Sequence, residues 1–279
     1  MSTGVMFEEI DLQQLPVGNH RIPCPKCMKG KRDTALSVTI DSKGAEWQCF
    51  RCRWKGAQQH QERARRVSAA APRVSQHISL ASHYRYFWST LASVSGTAAE
   101  YLTARGCPLP PKDGDLCSTE TLKHPSGYMG AALVALVTDA ETSEPLTLHH
   151  TWIKSDGTKA NVDTPRLLLG KHRKAGGVIR LWPDAAVTTG LAIAEGIETA
   201  LTAALAFKPV WSVIDAGNMG AFPVRDGIES LLIIADNDPA GLQASEQCAE
   251  RWYRAGREVR IVKSPVPGED LNDYARRVA

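Results

Sequence analysis

Five acidic residues and four cysteines are the groups in this 279-residue chain whose types and spacing could do chemistry. Glu195 follows the apolar run Leu-Ala-Ile-Ala and precedes Gly196. Asp236 and Asp238 follow Leu-Leu-Ile-Ile-Ala, in the sequence Asp-Asn-Asp-Pro-Ala-Gly. Asp270 and Asp273 lie in Glu-Asp-Leu-Asn-Asp near the end of the chain. An all-oxygen ligand set suits Mg²⁺ or Mn²⁺, which keep waters that phosphates can replace. Such an ion activates a hydroxyl, neutralises a transferring phosphate and stabilises a leaving pyrophosphate. Each element has a bland use as well: Asp-x-Asp after a strand caps helices, and a lone Glu there is common. Their joint occurrence points to phosphodiester chemistry. Asp236, Asp238 and Asp270 are expected as ligands, with Asp273 the next candidate. Glu195 fits a ligand and a general acid/base equally.

The cysteines form two knuckles, Cys24-Pro-Lys-Cys27 and Cys49-Phe-Arg-Cys52, with 21 residues between them. Each knuckle puts two thiolates on one tight turn, and the pair completes a tetrahedral Cys₄ site that suits Zn²⁺. Four protein ligands leave no open position, so the expected zinc is structural. The intervening segment alternates apolar residues around Lys43-Gly44, which predicts a hairpin and hence a zinc ribbon. Arg21, Lys26, Lys29, Lys31, Arg32, Arg51, Arg53 and Lys55 surround the knuckles. Trp47 is expected to pack; Phe50 and Trp54 suit either packing or stacking with unpaired bases. Cys107, Cys117 and Cys248 have no partner spacing and read as ordinary thiols.

Several elements must position these groups. Residues 80–105 read as helical and 107–127 as loop. The apolar segments of 130–154 read as paired strands, and Gly177–Trp182 as another strand. From residue 191 short apolar strands alternate with helices, the pattern of a parallel sheet covered on both faces. Glu195, Asp236 and the 269–273 cluster then fall beyond the carboxyl ends of neighbouring strands, where open α/β sheets collect function. Asp-Ala-Gly-Asn-Met-Gly, at 215–220, could pass near phosphates because its glycines permit close backbone approach. Lys159, Arg166, Lys171, Arg173, Lys174 and Arg180 are candidates for holding a template backbone or a triphosphate; each also reads as a solvated charge. His149 and His150 follow an apolar strand and suit phosphate or base contact, or a plain place on the sheet.

Composition narrows the setting. The apolar fraction is 43%, ordinary for a globular chain, and no run is long enough to span a membrane. The first residues lack the basic and apolar regions of a signal peptide, so a reducing cytoplasmic setting is expected and disulfides are not. Residues 1–80 carry 13 Lys+Arg against 7 Asp+Glu, whereas residues 191–279 carry 9 against 13. The basic front suits a polyanion, and the acidic rear suits carboxylate-held cations.

Glu-Gly after one apolar strand and Asp-x-Asp-x-x-Gly after another resemble the Toprim domain of bacterial-type primases, topoisomerases and related nucleases. The last motif, with Asp270, Asn272 and Asp273, resembles that of phage- and plasmid-type DNA primases, although Leu271 stands where an aromatic is frequent. The segments upstream of residue 189 and the Cys-Pro-x-Cys ribbon are similar to the same family. The resemblance implies an α/β chain: a zinc ribbon at 19–56, a linker at 57–79, a mixed α+β basic subdomain at 80–188, and a Rossmann-like, mainly parallel Toprim subdomain at 189–279. It implies synthesis of RNA primers on single-stranded DNA from NTPs. No Gly-x-x-x-x-Gly-Lys-Ser/Thr motif occurs in the sequence, so a helicase is expected in trans. A Toprim nuclease and a non-catalytic DNA-binding replication adaptor are the alternatives.

Overall fold

A computed structural model describes residues 10, 12, 15–27, 34–41, 44–59 and 79–278. Most of the expected linker, Lys29, Lys31, Arg32 and Lys43 lie outside the described residues. The chain divides into two compact units, Met1–Ser75 and Gln76–Ala279. Among the described residues, no helix is long and apolar enough to cross a membrane.

The first unit is a four-stranded antiparallel sheet: β1 (Gly18–Ile22), β2 (Leu36–Ile40), β3 (Gly44–Cys49) and β4 (Lys55–Gln59), paired in sequence order. Alternation along β2 sends Leu36, Val38 and Ile40 inward, where they meet Ala45, Cys24 and Cys49. The expected hairpin is β2–β3, with Ile40 opposite Ala45 and Leu36 opposite Cys49. Trp47 and Trp54 pack against this core with their rings 5.8 Å apart.

The second unit begins with α1 (Ser82–Ser89), β5 (Ala92–Ser93) and α2 (Gly96–Ala104). The predicted helical stretch is thus broken, because Ala92–Ser93 pairs with Cys117–Ser118. That partner strand, β6 (Leu116–Lys123), lies where loop was expected; its exposed polar half hides the strand pattern. β6 continues as a meander through β7 (Met129–Asp139), β8 (Pro145–Trp152) and β9 (Arg166–Leu168), and β10 (Gly177–Val178) adds to β7. The strand expected over 177–182 is therefore shorter. β7 is buried on both faces: Leu133, Ala135 and Val137 face one core, and Val134 and Leu136 the other, under α1.

A second, four-stranded sheet follows. Its strands are β11 (Gly190–Ala194), β12 (Val210–Ser212), β13 (Ser230–Ala235) and β14 (Glu258–Lys263), all parallel in the order β12-β11-β13-β14. Ala192, Ala194 and Ile234 share a core with Leu133, Ala135 and Val137, so the two sheets form one body. Leu191, Ile193, Leu231 and Ile233 face the opposite side, against Trp211, Phe222 and Trp252. The connecting helices are α3 (Ile197–Ala203), α4 (Ala216–Ala221), α5 (Pro239–Arg254) and α6 (Leu271–Val278). The glycine-bearing segment after β12 forms α4, started by Asp215, whose side chain accepts from the Asn218 N–H.

Candidate functional site

The sheet is parallel, so β11, β13 and β14 end on the same edge. Glu195 is the first residue beyond β11 and Asp236 the first beyond β13. Asp238 does not continue the strand. It caps α5, its Oδ1 accepting from the N–H groups of Ala240 and Gly241, each at 2.8 Å. Pro239 occupies the first helical position, where its missing N–H costs nothing. Asp270 caps α6 in the same way, accepting from the Asp273 N–H at 2.8 Å.

Glu195 and Asp236 are the carboxylates this edge encloses. Oε1 of Glu195 and Oδ1 of Asp236 are buried, and neither has a hydrogen-bond partner among the described residues. Burial pushes Glu195 up to about 7, reinforced by Asp236, Asp238 and Asp215. Burial also raises Asp236 to about 6, reinforced by Asp270 and Asp238 and opposed by Arg166. Buried acceptors without donors are costly. A cation between them would satisfy both, so the donor set fits a hard divalent ion.

The backbone around Glu195 is held firmly. Its carbonyl accepts from Ser212 Oγ at 2.7 Å and from the Ile214 N–H at 3.0 Å. Ile214 has φ 77°, a strained conformation for a β-branched residue. Gly241 completes the wall: a Cβ there would stand 2.6 Å from the Asp236 carbonyl oxygen and 3.1 Å from Glu195 Oε1. Helix α5 can approach the carboxylates only because that side chain is missing.

The other expected groups divide. Asp273 is turned to an ion pair with Arg105 at 3.2 Å. Asp215 joins the edge unexpectedly; it raises Glu195 and pairs with Lys174 at 2.8 Å. Arg166 and Lys159 converge on the buried Glu198, at 3.1 and 3.4 Å. Glu198, read only as a helix residue in the sequence, is thereby a member of the site. A cavity of about 50 Å³ between Glu195, Glu198, Arg166 and His149 lies beside it. Burial lowers both His149 and His150 to about 4, so they are neutral and not phosphate-binding cations. Arg173 is paired with Asp139, and Lys171 is exposed. Arg180 is buried over Trp211 and its guanidinium is bonded to Asp184, Thr138, Ser143 and the Asp139 and Ala140 carbonyls.

In the first unit the Sγ atoms of Cys24, Cys27, Cys49 and Cys52 all lie within 4.8 Å of one another. Among the described residues this is the one such group of three or more potential ligands; the carboxylates at the sheet edge are less tightly drawn together. Cys24 and Cys52 stand 3.7 Å apart, and Cys27 and Cys49 3.6 Å. Burial and the neighbouring sulfurs push Cys27 up to about 12. Cys49 falls to about 6, since the N–H groups of Cys52 and Arg51 and the neighbouring thiols outweigh its burial. The cluster could hold one soft cation with no position left open. Arg21 lies over the exposed Phe50 ring at 4.4 Å, and Lys26 over Trp54 at 5.3 Å.

Residues 190–279 match the family described as Toprim domain, and residues 79–181 match one described as a domain of unknown function (DUF7146). Residues 190–279 are thus a Toprim domain, with Glu195 and Asp236 at its strand ends and Asp238 at the start of α5. No curated protein matches the chain. Among solved structures, the primase fragment of the bacteriophage T7 primase-helicase is similar at 19% identity, over 94% of this chain and 96% of that one, with a TM-score of 0.43. The zinc-binding and RNA polymerase domains of the Aquifex aeolicus primase are similar at 14% identity, over 95% and 78%, with a TM-score of 0.45. A DNA primase domain from Pseudomonas aeruginosa is similar at 13% identity, over 57% and 52%, with a TM-score of 0.37.

Proposed function

We propose that this chain is a DNA primase, which makes short RNA primers on single-stranded DNA by metal-dependent nucleotidyl transfer. The observation that carries this reading is the pair of buried, donor-free carboxylate oxygens on Glu195 and Asp236, at the strand ends of a Toprim domain. The cysteine ribbon in the same chain, and the resemblance of its motifs to phage- and plasmid-type primases, favour a primase over a Toprim nuclease.

Glu195, Asp236, Asp238 and Asp270 would hold Mg²⁺ or Mn²⁺. When bound, the metal lowers the pKa of the attacking 3′-hydroxyl and neutralises charge on the transferring phosphate and the pyrophosphate. The chain's own groups hold the reactants. Two cations, Lys159 and Arg166, share the single anion Glu198. One positive charge is left over, oriented beside the acidic edge, for a triphosphate or a template phosphate. Lys171, Arg173 and Lys174 are further candidates for phosphate contact, the last two already paired with Asp139 and Asp215. Asp273 belongs to the structural support of the edge through Arg105. One zinc ion in the Cys24, Cys27, Cys49 and Cys52 cluster keeps the ribbon folded for template selection. Strand separation by a helicase, and the cytoplasm of a bacterial or phage-infected cell as the setting, belong to the same reading.

The test is incorporation of labelled NTPs on a pool of single-stranded DNA templates with Mg²⁺ and then Mn²⁺, beside the Asp236→Asn/Asp238→Asn variant. Short RNA is expected, reduced at least ~100-fold in the variant while DNA binding and fold persist. Metal-dependent template degradation without NTP incorporation would move the reading to a nuclease. DNA binding with no turnover at all would move it to an adaptor.

A further inference from the structure

Asn272 lies between Asp270 and Asp273, and its side chain cannot reach solvent. Its Oδ1 accepts from Arg105 Nε at 2.8 Å. Its Nδ2 donates to the Arg105 carbonyl and to Thr202 Oγ1, each at 2.8 Å, with Cys107 Sγ at 3.4 Å. The amide is thereby used at both ends. Its partners come from the end of α2, from the segment after it, and from α3, the helix that begins two residues after Glu195. Arg105 is itself buried, with Nη1 directed to the Gly157 carbonyl at 3.4 Å and Nη2 to Asp273 at 3.2 Å.

Besides Asn272, the polar tie of helix α6 to the body among the described residues is the Asp273–Arg105 pair, in which Asp273 is half exposed and which runs through the same Arg105. The helix is eight residues long and Asn272 is its one buried residue, with Leu271 partly buried against the main core. Apolar contact tolerates a helix turning by some degrees, because it has no direction. A buried amide with both ends bonded does not, since rotation would strand its donors and acceptor. Asp270, two residues earlier, caps the same helix and is the charge that acts most strongly on Asp236. A turn of α6 would carry the Asp270 carboxylate away from the edge.

We propose that Asn272 is a positioning residue: through Arg105 and Thr202 it fixes the rotation of α6 and so holds the Asp270 carboxylate opposite Asp236. This rests on the reading that the edge binds a divalent cation, and no template or nucleotide enters its test. Mn²⁺ binding to the full-length zinc-loaded protein is measured by electron paramagnetic resonance. Wild type is compared with Asn272→Leu, Thr202→Val, Asp270→Asn and, as a control for lost packing alone, Val134→Ala in the core under α1. Circular dichroism checks the fold of each.

Asn272→Leu is expected to weaken Mn²⁺ binding ~10-fold, as Asp270→Asn does, because an outer support of a metal ligand has been removed. Thr202→Val, which removes one bond to the amide, is expected to weaken it about threefold. Val134→Ala is expected to lose stability with no change in Mn²⁺ affinity. Unchanged affinity in Asn272→Leu while Asp270→Asn is impaired overturns the positioning role and leaves the metal site standing. Should Asn272→Leu fail to fold, Thr202→Val decides by the same criterion. Wild-type protein that binds no Mn²⁺ beyond the level of Asp236→Asn overturns the metal site and this role with it.

Discussion

Glu198 shows how one buried charge organises its surroundings. Its carboxylate is 4% exposed, accepts from the Tyr101 hydroxyl at 2.7 Å and meets Arg166 at 3.1 Å and Lys159 at 3.4 Å. Burial alone would raise its pKa, but Arg166, Lys159 and Tyr101 outweigh it and hold the carboxyl well below the usual range. A folded-state pKa below the unfolded one means the unfolded chain binds the proton more readily. The contribution is therefore present above an unfolded value of about 4.3 and is lost as pH falls toward the folded value. Glu198→Gln removes the anion and leaves two cations facing each other. Breaking a buried pair costs ~3–5 kcal/mol, and the lower end is expected because the Arg166 side chain is 45% exposed. In urea unfolding, the gap between variant and wild type should be wide at pH 7 and narrower at pH 3. An equal gap at both would mean that the ion pairs contribute nothing. The sequence hid this residue because its partners stand 97 and 32 positions away, and Ile-Glu-Thr-Ala-Leu reads as plain helix. Glu195 and Asp236 were legible for the opposite reason: each ends its own apolar strand, a local signal.

At the scale of elements, the parallel sheet and the β7–β8 pair were written in local pattern, whereas β5, β6 and β9 were not. Apart from Ser230, strands β11 and β13 carry no polar side chain because both faces are buried, and each is followed at once by an acid. Strand β6 follows a Pro- and Gly-rich stretch and is half polar, so it read as loop; its identity comes from pairing with β7. The 215–220 segment was notable in sequence only for its glycines; the Asp215 cap and the packing of Met219 stabilise a helix there. Gly241 is where the elements press closest on the chemistry. In a helix, Gly→Ala normally stabilises by about 1 kcal/mol. Here the added methyl would meet the Asp236 carbonyl at 2.6 Å and Glu195 Oε1 at 3.1 Å. Helix α5 must then back away from the carboxylates, taking its cap Asp238 with it. Gly241→Ala is expected to reduce NTP incorporation at least ~10-fold while the melting temperature moves little, because small displacements of reacting groups are costly. Full activity in the folded variant would show that the acidic edge tolerates that displacement.

At the scale of the whole molecule, the two units differ in what can hold them together. The second has buried clusters on both faces of both sheets, with Trp152, Trp211 and Trp252 fully enclosed. Among its described residues the first has six in a buried core, and two of them are metal-ligand candidates, Cys24 and Cys49. So small a core leaves a domain marginal unless something else closes it. The four thiols lie near enough to share one ion, and structural zinc contributes ~10–16 kcal/mol to the folding of comparable small modules. The described core of the ribbon is built from residues of the first unit, so loss of the metal should be felt there. Differential scanning calorimetry of the full chain before and after chelation is the measurement. Chelation, or Cys49→Ser, is expected to abolish the transition of the ribbon together with the fluorescence shift of Trp47 and Trp54, while the transition of the Toprim-bearing unit stays in place. Loss of both transitions would mean that the second unit depends on the ribbon for its own stability. Persistence of both would remove the structural role assigned to the cysteines, and the small core would have to be stable unaided.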